Sequence, residues 1–230
     1  MTTWNTIRRA SLVGVAGLSL AVASIAGVAA QDGEPYSPEG CWSSEPNMDE
    51  GFPQWDEAPD MVIDEDATYL ATITTNKGDM TFELNTAAAP ATVNNFICLA
   101  TNDFYDITPF HRVIDGFMIQ AGDPTGTGSG GPGYRFDDEL PGDDLDYTKG
   151  TLAMANAGPN TQGSQFFIVD KDLGGQLSKD YTIFGQLVEG EDVLDDISDT
   201  AVVPSQRGEP SVPVEFVVIK DITITVASES

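Results

Sequence analysis

From Tyr69 onward the chain breaks into short apolar runs, most of them divided from the next by Gly-, Pro- or Asp-rich turns. Runs of this length with period-two alternation suit strands better than helices. Tyr69–Thr75 alternates, Asn76-Lys-Gly-Asp79 makes a turn, and Met80–Leu84 alternates again, which predicts a β-hairpin. Further strands are expected at His111–Ile114, Phe117–Ala121, Thr151–Ala155, Gln165–Val169, Tyr181–Val188 and Val214–Val226. Two stretches carry helical spacing. Pro90–Thr101 places Val93, Phe96, Ile97 and Ala100 on one face behind a first-turn proline, and Gly190–Ile197 does the same with Val193, Leu194 and Ile197. About eight strands and two helices make a mainly β fold, an antiparallel barrel or sandwich capped by helices.

Two segments precede this domain, which is placed at residues 67–230. Residues 1–30 read as a signal peptide or N-terminal membrane anchor: Arg8-Arg9, then no charge from Ala10 to Ala30, ending in small residues. Either way an extracytoplasmic location is expected, with a membrane tether through residues 10–30 if the segment is uncleaved. Residues 31–66 hold twelve acids and five prolines and no Lys or Arg, the composition of a disordered, solvated acidic linker. Trp42, Phe52 and Trp55 depart from that pattern, and docking onto the domain is the reading given to them.

Charge narrows the partners. Ten Lys+Arg against 37 Asp+Glu leave a formal −27, which repels phosphate backbones and argues against nucleic acid as a ligand. A chain with this self-repulsion is expected to be a monomer. Gly126-Thr-Gly128-Ser-Gly-Gly131 matches the dinucleotide pattern, but Pro132-Gly133-Tyr-Arg cannot start the helix that would complete it, so a plain loop is expected. Asp137-Asp138-Glu139 and Asp143-Asp144 read as a solvated face. Two cysteines, Cys41 and Cys98, and one histidine, His111, supply neither a CxxC pair nor a four-ligand zinc site, and neither metal nor cofactor is expected. A Cys41–Cys98 disulfide and two unrelated thiols both remain open.

Two longer segments carry chemistry. Phe110-His-Arg-Val-Ile-Asp-Gly-Phe-Met-Ile-Gln-Ala-Gly-Asp123 sets Arg112 in an alternating strand, with Phe117, Met118 and Gln120 on the next. Leu152-Ala-Met-Ala-Asn-Ala-Gly-Pro-Asn-Thr-Gln-Gly-Ser-Gln-Phe-Phe167 leads a small-residue turn into a Gln-Phe-Phe strand. A half-buried arginine cannot shed its charge, so Arg112 needs a partner: Gln120, a ligand carbonyl, or one of the many acids.

In these segments, in the Thr-Val-Asn-Asn-Phe helix, in the glycine loop and in Phe184-Gly185, the chain resembles the cyclophilin family of peptidyl-prolyl cis-trans isomerases. The resemblance runs from about Tyr69 to Val226 and implies an eight-stranded antiparallel barrel closed by two α-helices, with a proline-binding groove outside. By position, Arg112 resembles the family's catalytic arginine, with Gln120 and Phe117 beside it. Met118, Phe167, Ala155, Asn156, Gln165, Leu177 and Tyr181 take the places of substrate-binding residues. The groove tryptophan's place falls on or near Gln176, and the groove histidine's place holds Tyr181, departures that weaken the expected grip on cyclosporin-type cyclic peptides. Ile107 stands where a glycine is usual. The resemblance implies rotation of X-Pro bonds in unfolded or partly folded exported polypeptides. The alternative is a non-catalytic module that binds proline-containing peptides on the same fold.

Overall fold

In the computed structural model, which describes residues 33–227, ten strands and two helices follow one another in the chain. β1 (Tyr69–Thr75) and β2 (Asp79–Leu84) form the expected hairpin, and α1 (Pro90–Thr101) follows. Then come β3 (Arg112–Ile114), β4 (Met118–Ala121), β5 (Thr151–Met154), β6 (Phe166–Val169), β7 (Ile183–Glu189) and α2 (Glu191–Ser198). β8 (Val202–Pro204), β9 (Pro210–Pro213) and β10 (Ile219–Val226) complete the chain. Eight strands make one antiparallel sheet in the order β10-β1-β2-β7-β5-β6-β4-β3. Its two ends meet where Phe110 N donates to Val217 O (3.0 Å) and Ile219 N to Thr108 O (2.9 Å), closing the sheet on itself. The fold is thus mainly β with two capping helices, as the apolar runs imply.

Why several runs read as continuously apolar is clear from β4, β5 and β6. Ile119, Ala121, Leu152, Met154, Phe166 and Ile168 face the main core, together with Phe96 of α1 and Leu194 of α2. The intervening Met118, Ala153, Phe167 and Val169 belong to a second apolar cluster on the outer face. Side chains alternate across a strand, so a sheet covered on both faces needs apolar residues at every position.

α1 has no capping side chain of its own and opens on Pro90. The Glu139 carboxylate serves instead, accepting from Ala91 N (3.1 Å), Thr92 N (2.8 Å) and the Thr92 hydroxyl (2.7 Å). First-turn amides have no intrahelical acceptor and carry partial positive charge. Glu139 is therefore a cap, where only a solvated face was expected.

Three further differences from the sequence reading have physical causes. The two-stranded sheet β8–β9 was not foreseen because Pro204, Pro210 and Pro213 suppress a strand signal, yet an isolated edge pair tolerates them. The last strand starts at Ile219, because Asn76 holds the preceding residues through bonds to Phe216 O and Val218 N (2.8 and 2.9 Å). Largest is the correction to residues 33–66, which are docked along the barrel as an ordered arm. Tyr36 N donates to Ile224 O (2.7 Å) and Trp55 N to Pro132 O (2.8 Å). Trp42 and Trp55 stack with ring centroids 4.0 Å apart, and Trp55 and Ile63 enter the main core. Asn94 of α1 clamps the arm, accepting from Val62 N (3.0 Å) and donating to Asp60 O (2.9 Å). Gly133 is required beneath the arm, since a Cβ there would lie 2.5 Å from Trp55 O. A Cys41–Cys98 disulfide ties the arm to α1. Aromatic burial and one covalent bond thus offset the ordering entropy that composition alone made prohibitive. The signal or anchor expected at residues 1–30 lies outside the described residues.

Candidate active site

Strand register builds the site. Arg112 on β3 lies opposite Gln120 on β4, Gln120 opposite Phe167 on β6, and Phe167 opposite Ala153 on β5. Directly opposed residues in antiparallel strands point to one face with Cβ atoms about 5 Å apart. One row across four strands thus carries a guanidinium, an amide, an aromatic ring and a methyl group on the outer face. The next row sets Ile114 opposite Met118 and Met118 opposite Val169.

The row opens into a depression of about 130 Å³ lined by Arg112, Phe117, Met118, Gln120, Ala155, Asn156, Phe167, Leu177 and Tyr181. Met118 and Phe167 are buried and form its floor. Tyr181 meets Phe167 edge-on, with centroids 5.5 Å apart. Tyr147 holds that wall from behind, its hydroxyl donating to Tyr181 O (2.8 Å). Asn156 is fixed by donation to Asp180 O (2.8 Å), and Ala155 N by donation to Gln165 O (2.9 Å).

Of the ten residues singled out in the sequence, nine line this depression. Gln165 does not. It sits behind Gln120, accepting from Gln120 Nε2 (2.9 Å) and donating to Gly130 O (3.0 Å). Gln120 is therefore oriented with its Oε1 toward Arg112 Nη1, 3.4 Å away.

Arg112 has a second partner. Nε and Nη2 each donate at 2.8 Å to the carboxylate of Glu209. That bond is the largest influence on Glu209, which is held near pKa 2 against a modest opposing effect of burial, with help from Ser211 and Arg207. Among 37 acids, nothing in the sequence singled out Glu209; the need of Arg112 for a partner was the one available signal.

The glycine loop meets Gln165 through Gly130 O, behind the lining of the depression, and is closed to phosphate. The buried Asp123 carboxylate accepts from the amides of Thr125 (2.8 Å), Thr127 (3.1 Å), Gly128 (2.7 Å) and Ser129 (3.0 Å), and from the Thr125 hydroxyl (2.7 Å). The nest of amides that would cradle a pyrophosphate already holds an anion. Burial pushes the Asp123 pKa up, but the bonds from Thr125 and the loop amides outweigh it and leave it below the usual carboxylate value. His111 lies against Gly128 with neither ring nitrogen hydrogen-bonded, and burial lowers its pKa.

The site is thus a depression with an apolar floor, Met118 and Phe167, beside a guanidinium held by Glu209. Comparison with known proteins supplies the class. The family model described as cyclophilin type peptidyl-prolyl cis-trans isomerase/CLD matches residues 70–224. Peptidyl-prolyl cis-trans isomerase A of Mycobacterium tuberculosis is 48% identical over 177 residues, which cover 69% of this chain and 93% of that protein. A putative peptidyl-prolyl cis-trans isomerase of Staphylococcus haemolyticus is 44% identical over 180 residues, covering 65% of this chain and 88% of the relative. A crystal structure of a Cryptosporidium parvum cyclophilin-type isomerase aligns with a TM-score of 0.62 at 39% identity, covering 71% of this chain and 99% of that one. A second structure of that protein, obtained in the presence of the dipeptide Ala-Pro, aligns with a TM-score of 0.61 at 40% identity, covering 70% and 99%. The chain belongs to the cyclophilin-type peptidyl-prolyl cis-trans isomerase family and is an isomerase of that type.

Proposed function

We propose that the depression receives the proline ring of an X-Pro segment and that Arg112 accelerates rotation of its peptide bond. The carrying observation is the register that sets Arg112 and Gln120 beside the apolar floor of Met118 and Phe167. Amide rotation costs about 18–20 kcal/mol because the C–N bond has partial double-bond character. In the twisted state the prolyl nitrogen recovers its lone pair and becomes an acceptor. A guanidinium fixed nearby donates to that lone pair, which the planar forms do not offer, so it stabilises the transition state selectively. Phe117, Met118 and Phe167 hold the ring while the preceding carbonyl swings. The half-buried backbone at Ala155 and Asn156, on the edge of the depression, anchors the chain with little regard to its side chains.

The substrates in this reading are unfolded or partly folded proteins outside the cytoplasm. That location is supported by the uncharged run after Arg8-Arg9 and by a disulfide in a small acidic protein. Titrating the isotopically labelled protein with an Ala-Pro-containing peptide tests the site. Shifts should cluster at Phe117, Ala155, Asn156 and Phe167, and vanish when Ala replaces Pro. Shifts centred elsewhere, or equal with both peptides, would overturn the assignment.

A further inference from the structure

Arg112 does not stand free over the depression. Its Nε and Nη2 donate to Oε2 and Oε1 of Glu209, both at 2.8 Å. Two parallel bonds of this kind fix the plane of a guanidinium as well as its position. Glu209 is delivered by the turn of the β8–β9 hairpin. There Ser205 N donates to Glu209 O (2.7 Å), Gly208 N donates to Ser205 O (2.9 Å), and Pro210 follows at the start of β9. Proline fixes its own φ, which stiffens the strand end next to the carboxylate. β9 packs beside β3, the strand that carries Arg112, without joining its sheet.

The third corner of the guanidinium is used differently. Nη1 lies 3.4 Å from Gln120 Oε1 and 3.7 Å from Met118 Sδ, both lining residues of the depression. Glu209 is not among the lining residues. The carboxylate therefore grips the edge of the arginine turned away from the substrate and leaves Nη1 facing it.

We propose that Glu209 is the positioning residue for Arg112, holding the guanidinium plane so that Nη1 stays aimed at the prolyl nitrogen through the rotation. This rests on the role given to Arg112 above and extends it to a residue that never touches substrate. An untethered arginine must order several torsions in each turnover, whereas one held by a bidentate pair has lost that freedom beforehand. The effect falls on turnover, because ring binding depends on the apolar floor. It falls little on stability, because an ion pair with both side chains a third or more exposed (33% and 40%) contributes little to folding.

The test uses the full chain with an Ala-Pro-Phe peptide and compares the native protein with Glu209→Ala, Glu209→Gln and Arg112→Ala. Glu209→Ala should lower kcat about tenfold with KM changed less than about twofold, since misplacing a catalytic group acts on the transition state. Glu209→Gln keeps the length and one acceptor, and should recover at least about a third of native kcat. Melting temperatures of both should stay within a few degrees of native. The Arg112 Nε–H resonance should be sharp in the native protein and broaden in Glu209→Ala. Native kcat in Glu209→Ala would overturn the proposal, and a rise would make the carboxylate a lock. A loss confined to KM, or Gln no better than Ala together with a lowered melting temperature, would reduce it to a structural contact. If Arg112→Ala turned over as fast as native, the role of Arg112 would fail instead, which keeps the two outcomes apart.

Discussion

Cys41 lies in the arm and Cys98 on α1, 57 residues apart in sequence with Cα atoms 5.8 Å apart. A bond across that separation limits the unfolded chain. The chain-entropy relation gives about 14 cal/mol/K for a loop of this size, or about 4 kcal/mol at room temperature. For a protein of this length each kcal/mol corresponds to roughly 2–4 °C in melting temperature, so complete reduction should lower the midpoint by roughly 8–16 °C. Both cysteines are buried, so a reductant reaches the bond only when the chain opens. The suitable assay is equilibrium unfolding in guanidinium with and without a strong reductant, followed by tryptophan fluorescence. Two of the three tryptophans, the stacked Trp42 and Trp55, report directly on the arm. The expected result is a loss of about 4 kcal/mol on linear extrapolation. In the reduced protein the arm's fluorescence should change at or before the far-ultraviolet signal of the barrel. A reduced protein within 1 kcal/mol of the oxidised one, with a single transition, would refute the view that this bond helps hold the arm.

Two further predictions concern single side chains. Ile107 is 65% exposed with φ at +60°, a left-handed conformation that penalises a β-branched residue. Ile107→Gly should stabilise the protein by roughly 1 kcal/mol, the relief of strain exceeding glycine's extra freedom in the unfolded chain. An unchanged or lower unfolding midpoint would contradict this. Asp123→Asn puts an amide donor among loop amides that already donate, and should cost about 2–3 kcal/mol. The Asp123 pKa is depressed in the folded state, so its stabilisation is complete above the ordinary carboxyl value of 3.8 and is lost as pH falls through the lower folded value. Acid unfolding of Asp123→Asn, read by circular dichroism, should therefore show a shallower pH dependence below about pH 4. An identical acid limb would remove Asp123 from that role.

The barrel was legible because its strands are short, alternate, and are bounded by turn residues, and because α1 opens on a proline. The site was legible in outline, since Arg112, Gln120 and Phe167 fall in one row once the strands are paired. What escaped had no local signal. Glu139 and Glu209 are two acids among 37, and only tertiary contact separates a cap or an anchor from a solvated charge. The arm's composition pointed to disorder, because composition counts acids and prolines but cannot see two indoles stacking over Phe104 and Tyr134. Position in the sequence alone puts Gln165 in the groove wall, and only side-chain direction moves it behind Gln120.

In the proposed mechanism a donor fixed at Arg112 stabilises the twisted X-Pro bond. This is tested most directly by cis-to-trans interconversion of an Ala-Pro-Phe peptide in the presence of the native protein and of Arg112→Ala, with peptide affinity measured on the same samples. Losing a preorganised donor to transition-state charge costs about 2.7–4 kcal/mol, so turnover should fall about 100- to 1,000-fold. Affinity should change only a few-fold. Near-native turnover by a folded Arg112→Ala protein, or a fall in turnover matched by an equal fall in affinity, would contradict the mechanism.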